Sequence, residues 1–397
     1  MLNPRLSGLP DYPFDRLRTL LEPISPAPGL SPLSLAVGEP QHEPPNAIAT
    51  ALADNSHLWG RYPPSDGTPE FRSAVAGWLR RRYGLDDAEM DADRHVLAAS
   101  GTREALYLIS ALVVPEVKAG GRPHVAMPNP LYHVYGGAAA VSGAERMLAP
   151  ATAENGFLPD FSTIDGGALA RTALFYFCSP ANPQGAVASL SYLKEAIQLA
   201  REHDFVLVVD ECYAEIYDQD PPPGALQACK DLGGGYENVL VFHSLSKRSS
   251  APGLRSGFVA GDENLISHFR RLRSYIGPQM PMPAMAASVA LWNDEIHVEE
   301  NRRLYREKLD IAEELLAGRY GFYRPAGGFF LWLDVGDSEA AAEALWRDAA
   351  LRVLPGAYIS LPGPTGANPG HDFIRVALVH DPATTQEALE RLVGVLG

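Results

Sequence analysis

The sequence has little cysteine, few positive charges and no long apolar run. Its three cysteines, Cys178, Cys212 and Cys229, are too few and too scattered for a disulfide framework or a zinc knuckle. The 33 basic residues are outnumbered by 48 acidic ones, giving a net charge of −15, so we expect no broad nucleic-acid surface. The longest apolar stretch, residues 105–114, is far shorter than the roughly 20 residues that span a bilayer, so we expect no membrane span.

Length and composition are typical of a soluble enzyme. At about 150 residues per domain, 397 residues with 46% hydrophobic content predict two domains, or one large domain with extensions. The first ten residues contain no apolar core of the kind that a secretory signal needs. Together with the low cysteine content, this predicts a reduced, cytoplasmic protein.

The pattern along the chain predicts an α/β fold. The first 45 residues are rich in proline and predict an arm around a larger body, with one helix at residues 13–21. From residue 95, β-branched or aromatic runs alternate with helical stretches, which favours a mostly parallel sheet buried on both faces. The predicted strands are residues 95–99, 124–127, 172–178, 205–209, 239–243 and 257–260.

After Pro283 the pattern becomes that of a smaller α+β domain. A long helical region at residues 284–317 precedes a last strand at 373–379, and the proline and glycine cluster at 355–370 predicts a surface loop or a flexible lid. The predicted division is an N-terminal arm that contributes to the small domain, a large domain and a small C-terminal domain, at residues 1–45, 46–283 and 284–397.

Candidate functional residues follow the predicted strands, since ligands bind beyond the carboxyl ends of strands in parallel sheets. Ser100-Gly101-Thr102 opens a helix whose free amide groups suit a phosphate, although such a turn is more often an ordinary cap. Asn182 lies in a proline-rich turn, which fits an ordinary Asx-Pro turn or an amide presented to a ring oxygen.

Two charged residues come directly after apolar strands. A carboxylate at Asp210 needs a cation or hydrogen bonds, because burying it unpaired is costly. A metal site, a helix cap and a partner for a charged ring nitrogen all satisfy that need. Lys247, between two serines, is either a solvated surface charge or a desolvated amine whose lowered pKa makes it a nucleophile.

In their order and spacing these motifs resemble those of the class I/II aminotransferases of fold type I, which use pyridoxal 5'-phosphate. Asn182 precedes Asp210 by 28 residues, and Asp210 precedes Lys247 by 37, close to the family's usual layout. The match runs from Gly38 to Arg375. The resemblance implies a large domain with a mostly parallel sheet, a smaller α+β domain and pyridoxal phosphate as cofactor, with no metal.

The resemblance implies catalytic roles for three residues. Lys247 would bind the cofactor covalently and, once displaced by substrate, move the proton. Asp210 would keep the ring nitrogen protonated, so that the ring accepts electrons. Tyr213, together with Asn182, would hydrogen-bond the ring oxygen.

The resemblance also implies residues that bind cofactor and substrate. Tyr132 would stack on the ring, Arg375 and Asn182 would bind the substrate, and Gly38 would leave room for it. The sequence departs from the family pattern at Ser256, where an aliphatic residue is usual, and we expect this difference to affect packing only. The phosphate would be held by Gly101, Thr102, Ser244, Ser246, Arg255 and, from the second subunit of a homodimer, Tyr62.

Longer segments resemble the N-succinyldiaminopimelate aminotransferases of bacterial lysine and cell-wall biosynthesis. This finer resemblance implies amino-group exchange between glutamate and N-succinyl-2-amino-6-oxopimelate. Arg61 and the loop at residues 278–283 are hypotheses for the distal succinyl end. The segments that carry the resemblance are residues 3–18, 61–72, 127–135 and 177–185.

Other interpretations stay open. The same motifs fit an aspartate, alanine or aromatic aminotransferase, or a β-lyase on the same scaffold. A regulatory protein that senses the cofactor and binds DNA would carry a helix-turn-helix ahead of Gly38. The 37 residues there are proline-rich, and the chain is acidic, which argues against it.

Overall fold

The computed structural model describes residues 3–9, 11–276 and 278–397. Its largest sheet has seven strands in the order β2-β8-β7-β6-β5-β3-β4. All run parallel except β8, which is antiparallel to both of its neighbours. The strands of the chain are β1 (Leu33–Ser34), β2 (Val96–Ala99), β3 (His124–Asn129), β4 (Glu145–Pro150), β5 (Thr172–Cys178), β6 (Val206–Asp210), β7 (Val239–Ser244), β8 (Gly257–Gly261), β9 (Phe330–Asp334), β10 (Leu351–Arg352), β11 (Leu354–Pro355) and β12 (Phe373–Ala377).

Helices alternate with these strands and cover the sheet. The predicted α/β fold with a mostly parallel sheet is therefore confirmed. The helices are α1 (Pro13–Leu21), α2 (Ala47–Asp54), α3 (Pro69–Tyr83), α4 (Ala92–His95), α5 (Thr102–Val113), α6 (His133–Ser142), α7 (Gly166–Arg171), α8 (Leu190–Glu202), α9 (Ala225–Leu232), α10 (Leu245–Arg248), α11 (Glu263–Arg273), α12 (Met282–Trp292), α13 (Ile296–Leu316), α14 (Ser338–Ala349) and α15 (Pro382–Leu396).

The central strands are apolar because both of their faces are buried. Every residue of β5, β6 and β7 is buried. Successive side chains point to opposite faces, so Phe175 and Leu207 join one core cluster while Leu174 and Val208 join the other. Strands buried in this way read as continuous apolar runs, which is why the sequence shows them clearly.

The six strands predicted for the large sheet and the last strand are confirmed to within two residues at each end. The edge strand β4 was missed, since most of its residues are at least partly exposed and it lacks an apolar run. The helical region predicted at residues 284–317 is confirmed. It consists of two helices, α12 and α13, separated at Asn293–Glu295, where the Asp294 side chain accepts a hydrogen bond from the Ile296 amide at 2.9 Å.

The C-terminal part of the chain forms a second, smaller core. Strands β11, β12 and β9 make an antiparallel sheet, and α13, α14 and α15 pack with it. From the N-terminal arm, β1 pairs in parallel with β10, matching Leu33 to Leu351. The division into three domains stays a prediction.

The segment 355–370 differs from the predicted surface loop or lid. Its first part, residues 355–360, is buried, and only the part around 364–367 is exposed. The Asn129 side chain donates to the Leu361 carbonyl at 2.7 Å and accepts from its amide at 3.0 Å. The segment is thus fastened to the end of β3. No helix in the described ranges has the length and apolar character that crossing a membrane requires.

Candidate active site

A cleft of about 1350 Å³ lies at the carboxyl ends of β5, β6 and β7, facing the sheet that contains β12. Parallel strands bring their carboxyl ends to one edge, so residues far apart in sequence meet there. Eleven of the thirteen predicted site residues line this cleft: Gly38, Thr102, Tyr132, Asn182, Asp210, Tyr213, Ser244, Ser246, Lys247, Arg255 and Arg375.

Asp210 is a buried carboxylate without a cationic partner among the described residues. It closes β6 and is 5% exposed. Its oxygens accept hydrogen bonds from the Tyr135 hydroxyl at 2.8 Å and the Cys212 amide at 3.3 Å. Burial raises the pKa of Asp210 above its ordinary value, although these hydrogen bonds act to lower it. A protonated ring nitrogen in the cleft would supply the missing positive charge.

Lys247 lies in α10, one turn beyond β7, and its Nζ donates to the Gly38 carbonyl. Burial lowers the pKa of Lys247 to about 8, and the positive charges of Arg375 and Arg255 add to the effect. An amine with this pKa is substantially neutral near pH 8, as a nucleophile must be. Gly38 has no room for a side chain, because a Cβ there would lie 2.5 Å from the Phe330 ring.

Arg375 is a buried guanidinium held by two neutral acceptors. It is 6% exposed, and it donates to the Asn182 side-chain oxygen at 3.0 Å and the Ala36 carbonyl at 2.7 Å. Its Nε has no hydrogen-bond partner among the described residues. Burial lowers the pKa of Arg375 to about 10, opposed by Tyr213 and Tyr132. A carboxylate entering the cleft would satisfy the remaining donors.

Asn182 and Tyr213 form a polar pair beside these charges. The Asn182 amide donates to the Tyr213 hydroxyl at 3.5 Å. Burial raises the pKa of Tyr213 well above its ordinary value, so this hydroxyl keeps its proton. The pair therefore offers hydrogen-bond donors to an oxygen in the cleft.

A small polar cradle, which could hold a phosphate, lies between α10 and the start of α5. The Ser244 Oγ accepts from the Ser246 amide at 3.0 Å and lies 2.9 Å from the Ser246 hydroxyl oxygen. The Arg255 guanidinium donates to the carbonyls of Pro252 and Ser100. A Cβ on Gly101, which has a φ of 75°, would lie 2.2 Å from the Arg255 Nη2 and would displace the guanidinium. Serine hydroxyls, an arginine and a helix N-terminus fit a phosphate.

Ser256, the departure from the family pattern, lies inside the core. It is fully buried, and its hydroxyl accepts from Ser288 at 2.8 Å. The polar residue is therefore paired with a second serine from α12. The Ser256 carbonyl also accepts a hydrogen bond from the Ser244 hydroxyl at 3.0 Å, and this contact holds the Ser244 side chain in place.

Two predicted residues are not brought to the cleft surface within one chain. Gly101 lies beneath the Arg255 guanidinium. Tyr62 is 99% exposed and, like Arg61, does not line the cleft. Tyr132 does line it, and its hydroxyl accepts from the Arg103 Nε at 3.0 Å.

Several residues of the site were missed by the sequence analysis. Tyr135 supplies a hydrogen bond to Asp210, and Phe330 lies 4.3 Å from the Arg375 guanidinium carbon, measured to the ring centroid. Cys212 approaches Thr102, with 3.2 Å between sulfur and hydroxyl. The spacing of Tyr132, just before α6, and Tyr135, on α6, was the one available signal, and it does not indicate which ring faces Asp210.

A family model described as aminotransferase class I and II matches residues 31–392. The chain belongs to the class I and II aminotransferases. These enzymes depend on pyridoxal phosphate, and the buried Asp210, the Lys247 amine and the phosphate cradle fit that group. When bound, the cofactor withdraws electrons from the substrate α-carbon and carries the amino group between two substrates.

Curated aminotransferases and solved structures cover nearly the whole chain. An LL-diaminopimelate aminotransferase of Moorella thermoacetica is 32% identical, covering 99% of this chain and 98% of its own. The 4-dedimethylamino-4-oxo-anhydrotetracycline transaminase of Streptomyces rimosus is also 32% identical, covering 97% and 99%. An aminotransferase structure from Neisseria meningitidis has 41% identity, a TM-score of 0.94 and full coverage of both chains. A probable N-succinyldiaminopimelate aminotransferase from Thermus thermophilus has 26% identity and a TM-score of 0.81, covering 96% and 98%.

These comparisons confirm the family, the fold and the cofactor. The assigned roles of individual residues, the homodimer and the cytoplasmic location stay predictions.

Proposed function

We propose that this aminotransferase exchanges the amino group between glutamate and N-succinyl-2-amino-6-oxopimelate. One observation carries the amino-transfer chemistry: Asp210, Lys247 and Arg375 face one cleft, and none of them forms an ion pair with a described residue. Three charged groups that lack mutual partners suit a cofactor and a substrate that carry the complementary charges.

In this proposal each side chain has one task. Arg375 binds the substrate α-carboxylate with its free N–H groups, and Asn182 fixes its orientation. The Lys247 Nζ, with a pKa lowered to about 8, would take a proton from the substrate α-carbon. Asp210 holds a proton on the ring nitrogen, since its charge is otherwise unpaired.

The size of the cleft supports a long second substrate. Its volume of about 1350 Å³ must hold the cofactor together with a substrate, and it exceeds the roughly 300–1,000 Å³ of ordinary small-molecule pockets. Glutamate and a succinylated seven-carbon diacid must use the same cleft in turn. Two relatives carry names that specify a diaminopimelate compound, which supports this substrate class.

We also propose a homodimer in which Tyr62 contacts the phosphate of the other subunit. Tyr62 is 99% exposed. Trp59, three residues before it, is also exposed, and so is Tyr275. The hydroxyls of Ser65 and Ser274 lie 3.4 Å apart, which brings the two aromatic segments together. Clustered exposed aromatics favour a protein interface. A monomer in solution with full activity would contradict this assembly.

A second candidate donor is LL-diaminopimelate itself, which the Moorella thermoacetica relative favours. The test is glutamate formation from 2-oxoglutarate with N-succinyl-LL-diaminopimelate as donor, beside LL-diaminopimelate, aspartate, alanine and phenylalanine. We expect the highest kcat/KM with the succinylated donor. Preference for LL-diaminopimelate would establish the second candidate, and preference for a common amino acid would overturn both.

A further inference from the structure

Lys308, on α13, is a fully buried lysine outside the cleft, and no acidic side chain among the described residues pairs with it. Its Nζ donates to the carbonyls of Leu378 at 2.6 Å and His380 at 2.9 Å, and lies 2.8 Å from the His42 Nε2. Burying an uncompensated ammonium is costly, and burial lowers the pKa of Lys308 to about 7. Such a residue needs a reason beyond packing.

The far side of His42 leads to the backbone of Lys247. The His42 Nδ1 lies 2.7 Å from the Asn301 side-chain oxygen, and the Asn301 amide donates to the carbonyls of Lys247 at 3.1 Å and Arg248 at 3.2 Å. These two carbonyls fix the amide orientation, because a carbonyl oxygen can only accept. The Asn301 oxygen therefore faces His42, which must carry its proton on Nδ1.

The position of the His42 proton determines the direction of every hydrogen bond between Lys308, His42 and Asn301. Burial, together with the Lys308 charge, lowers the pKa of His42 to about 4, so the ring is neutral. With the proton on Nδ1, the Nε2 is an acceptor, and Lys308 donates to it. In its ammonium form, Lys308 thus donates all three of these hydrogen bonds.

This hydrogen-bond network connects α10, which contains Lys247, to the residues that follow β12, which contains Arg375. The short helix α10 leaves its last carbonyls without intrahelical partners, and Asn301 caps them. At the other end, Leu378 and His380 follow directly after β12, the strand that carries Arg375. Asn301 and Lys308 are seven residues apart, or about two turns of α13.

Aromatic contacts on the same face of α13 reinforce the connection. Tyr305 lies between Asn301 and Lys308 in sequence, and its ring stacks on Phe329 with centroids 5.1 Å apart. The Lys308 Nζ lies 4.1 Å from the Tyr305 ring centroid, and the Lys247 Nζ lies 5.6 Å from that of Phe329. Both the backbone and the side chain of Lys247 therefore touch elements that α13 holds in place.

We propose that Lys308, His42 and Asn301 are positioning residues for amino transfer, which hold the backbone of Lys247 in register with the strand that carries Arg375. None of the three lines the cleft, so they act through the residues that do. The proposal rests on the proposed roles of Lys247 and Arg375, but not on which amino acid is the donor.

Two substitutions interrupt the network at different points. Asn301→Asp keeps the size and an acceptor oxygen but removes both amide protons that cap α10. Lys308→Met keeps the chain length but removes the charge and all three donors. Since a misplacement of about 1 Å can cost roughly 100-fold in rate, we expect each variant to lose about 10- to 100-fold in kcat. KM for the amino donor should change by less than about 3-fold, because Arg375 still binds the carboxylate.

The double variant tests whether the two residues belong to one network. Its kcat should be close to that of the slower single variant, because the second change interrupts a chain that is already broken. Amide hydrogen exchange of the cofactor-free protein supplies a readout that does not depend on activity. Exchange at residues 249–251 should be faster in both single variants than in the parent protein.

Leu309→Ala is the matched control, since Leu309 is the buried neighbour of Lys308 but packs in the small-domain core. We expect it to lower Tm while kcat and exchange at residues 249–251 stay near the parent values. The proposal would be overturned if the losses in kcat of the two single variants multiply in the double variant. It would also be overturned if the single variants have a lowered Tm but the kcat of the parent protein. If Lys308→Met does not fold, His42→Leu replaces it in the same comparison. Activity with a different donor would overturn the proposed substrate alone.

Discussion

Replacing Arg375 tests the substrate-binding role most quantitatively. A guanidinium has five N–H groups, of which two are used on Asn182 and Ala36. Three remain, including the unpartnered Nε, and a fork to a carboxylate uses two of them. Charge-assisted hydrogen bonds contribute about 1.5–3 kcal/mol each. Arg375→Lys keeps the charge and one such bond, so it should lose about 2 kcal/mol, or roughly 30-fold in kcat/KM.

Arg375→Gln removes the charge and the fork, and should lose about 3–6 kcal/mol, which is roughly 150- to 25,000-fold in kcat/KM. The assay is the first half-reaction, followed by the absorbance of the bound cofactor. Amino acids are compared with primary amines of the same side chain that lack the α-carboxylate. Arg319→Lys, an exposed arginine, is the control. Equal losses for amino acids and for amines without a carboxylate would refute the assigned role.

Three further predictions follow from the site. Asp210→Asn removes the charge that pairs with the ring nitrogen and should lower kcat at least about 100-fold, with a loss below tenfold contradicting the pairing. Burial and neighbouring arginines lower the pKa of Lys247, so its neutral amine exists at lower pH. Cofactor uptake by the apo-protein should therefore rise with pH to a plateau with its midpoint near 8, and a midpoint near 10.5 would contradict this. Gly101→Ala forces a Cβ to 2.2 Å from Arg255 and should weaken cofactor binding measured by dialysis. Gly29→Ala, with a similar positive φ but open space, should leave binding unchanged.

The sequence predicted the strands and the residues at their ends for the same physical reason. Strands buried on both faces must be continuously apolar, so Asp210 and Lys247 stand out as charges placed directly after such runs. The parallel strands β5, β6 and β7 are neighbours in the sheet, with Cys178 paired to Asp210 and Asp210 to Phe242. The residues that follow these strands therefore lie close together. Each of these contacts follows from the order of the strands.

Contacts between distant helices and loops leave no comparable pattern. His42 meets Asn301 across 259 positions, and neither residue lies next to a motif. The break between α12 and α13 depends on the Asp294 side chain replacing a helical hydrogen bond, and the surrounding apolar periodicity conceals it. The buried start of segment 355–370 depends on its hydrogen bonds to Asn129, which composition cannot indicate.

The role of Lys247 is tested most directly by reducing the holoenzyme with borohydride and mapping the modified peptide by mass spectrometry. We expect one phosphopyridoxyl group, on Lys247, because this amine is partly buried in the cleft with a pKa lowered to about 8. Adding the amino donor before reduction should abolish the modification. Modification of a different lysine, or labelling that the donor does not prevent, would contradict the assignment of Lys247.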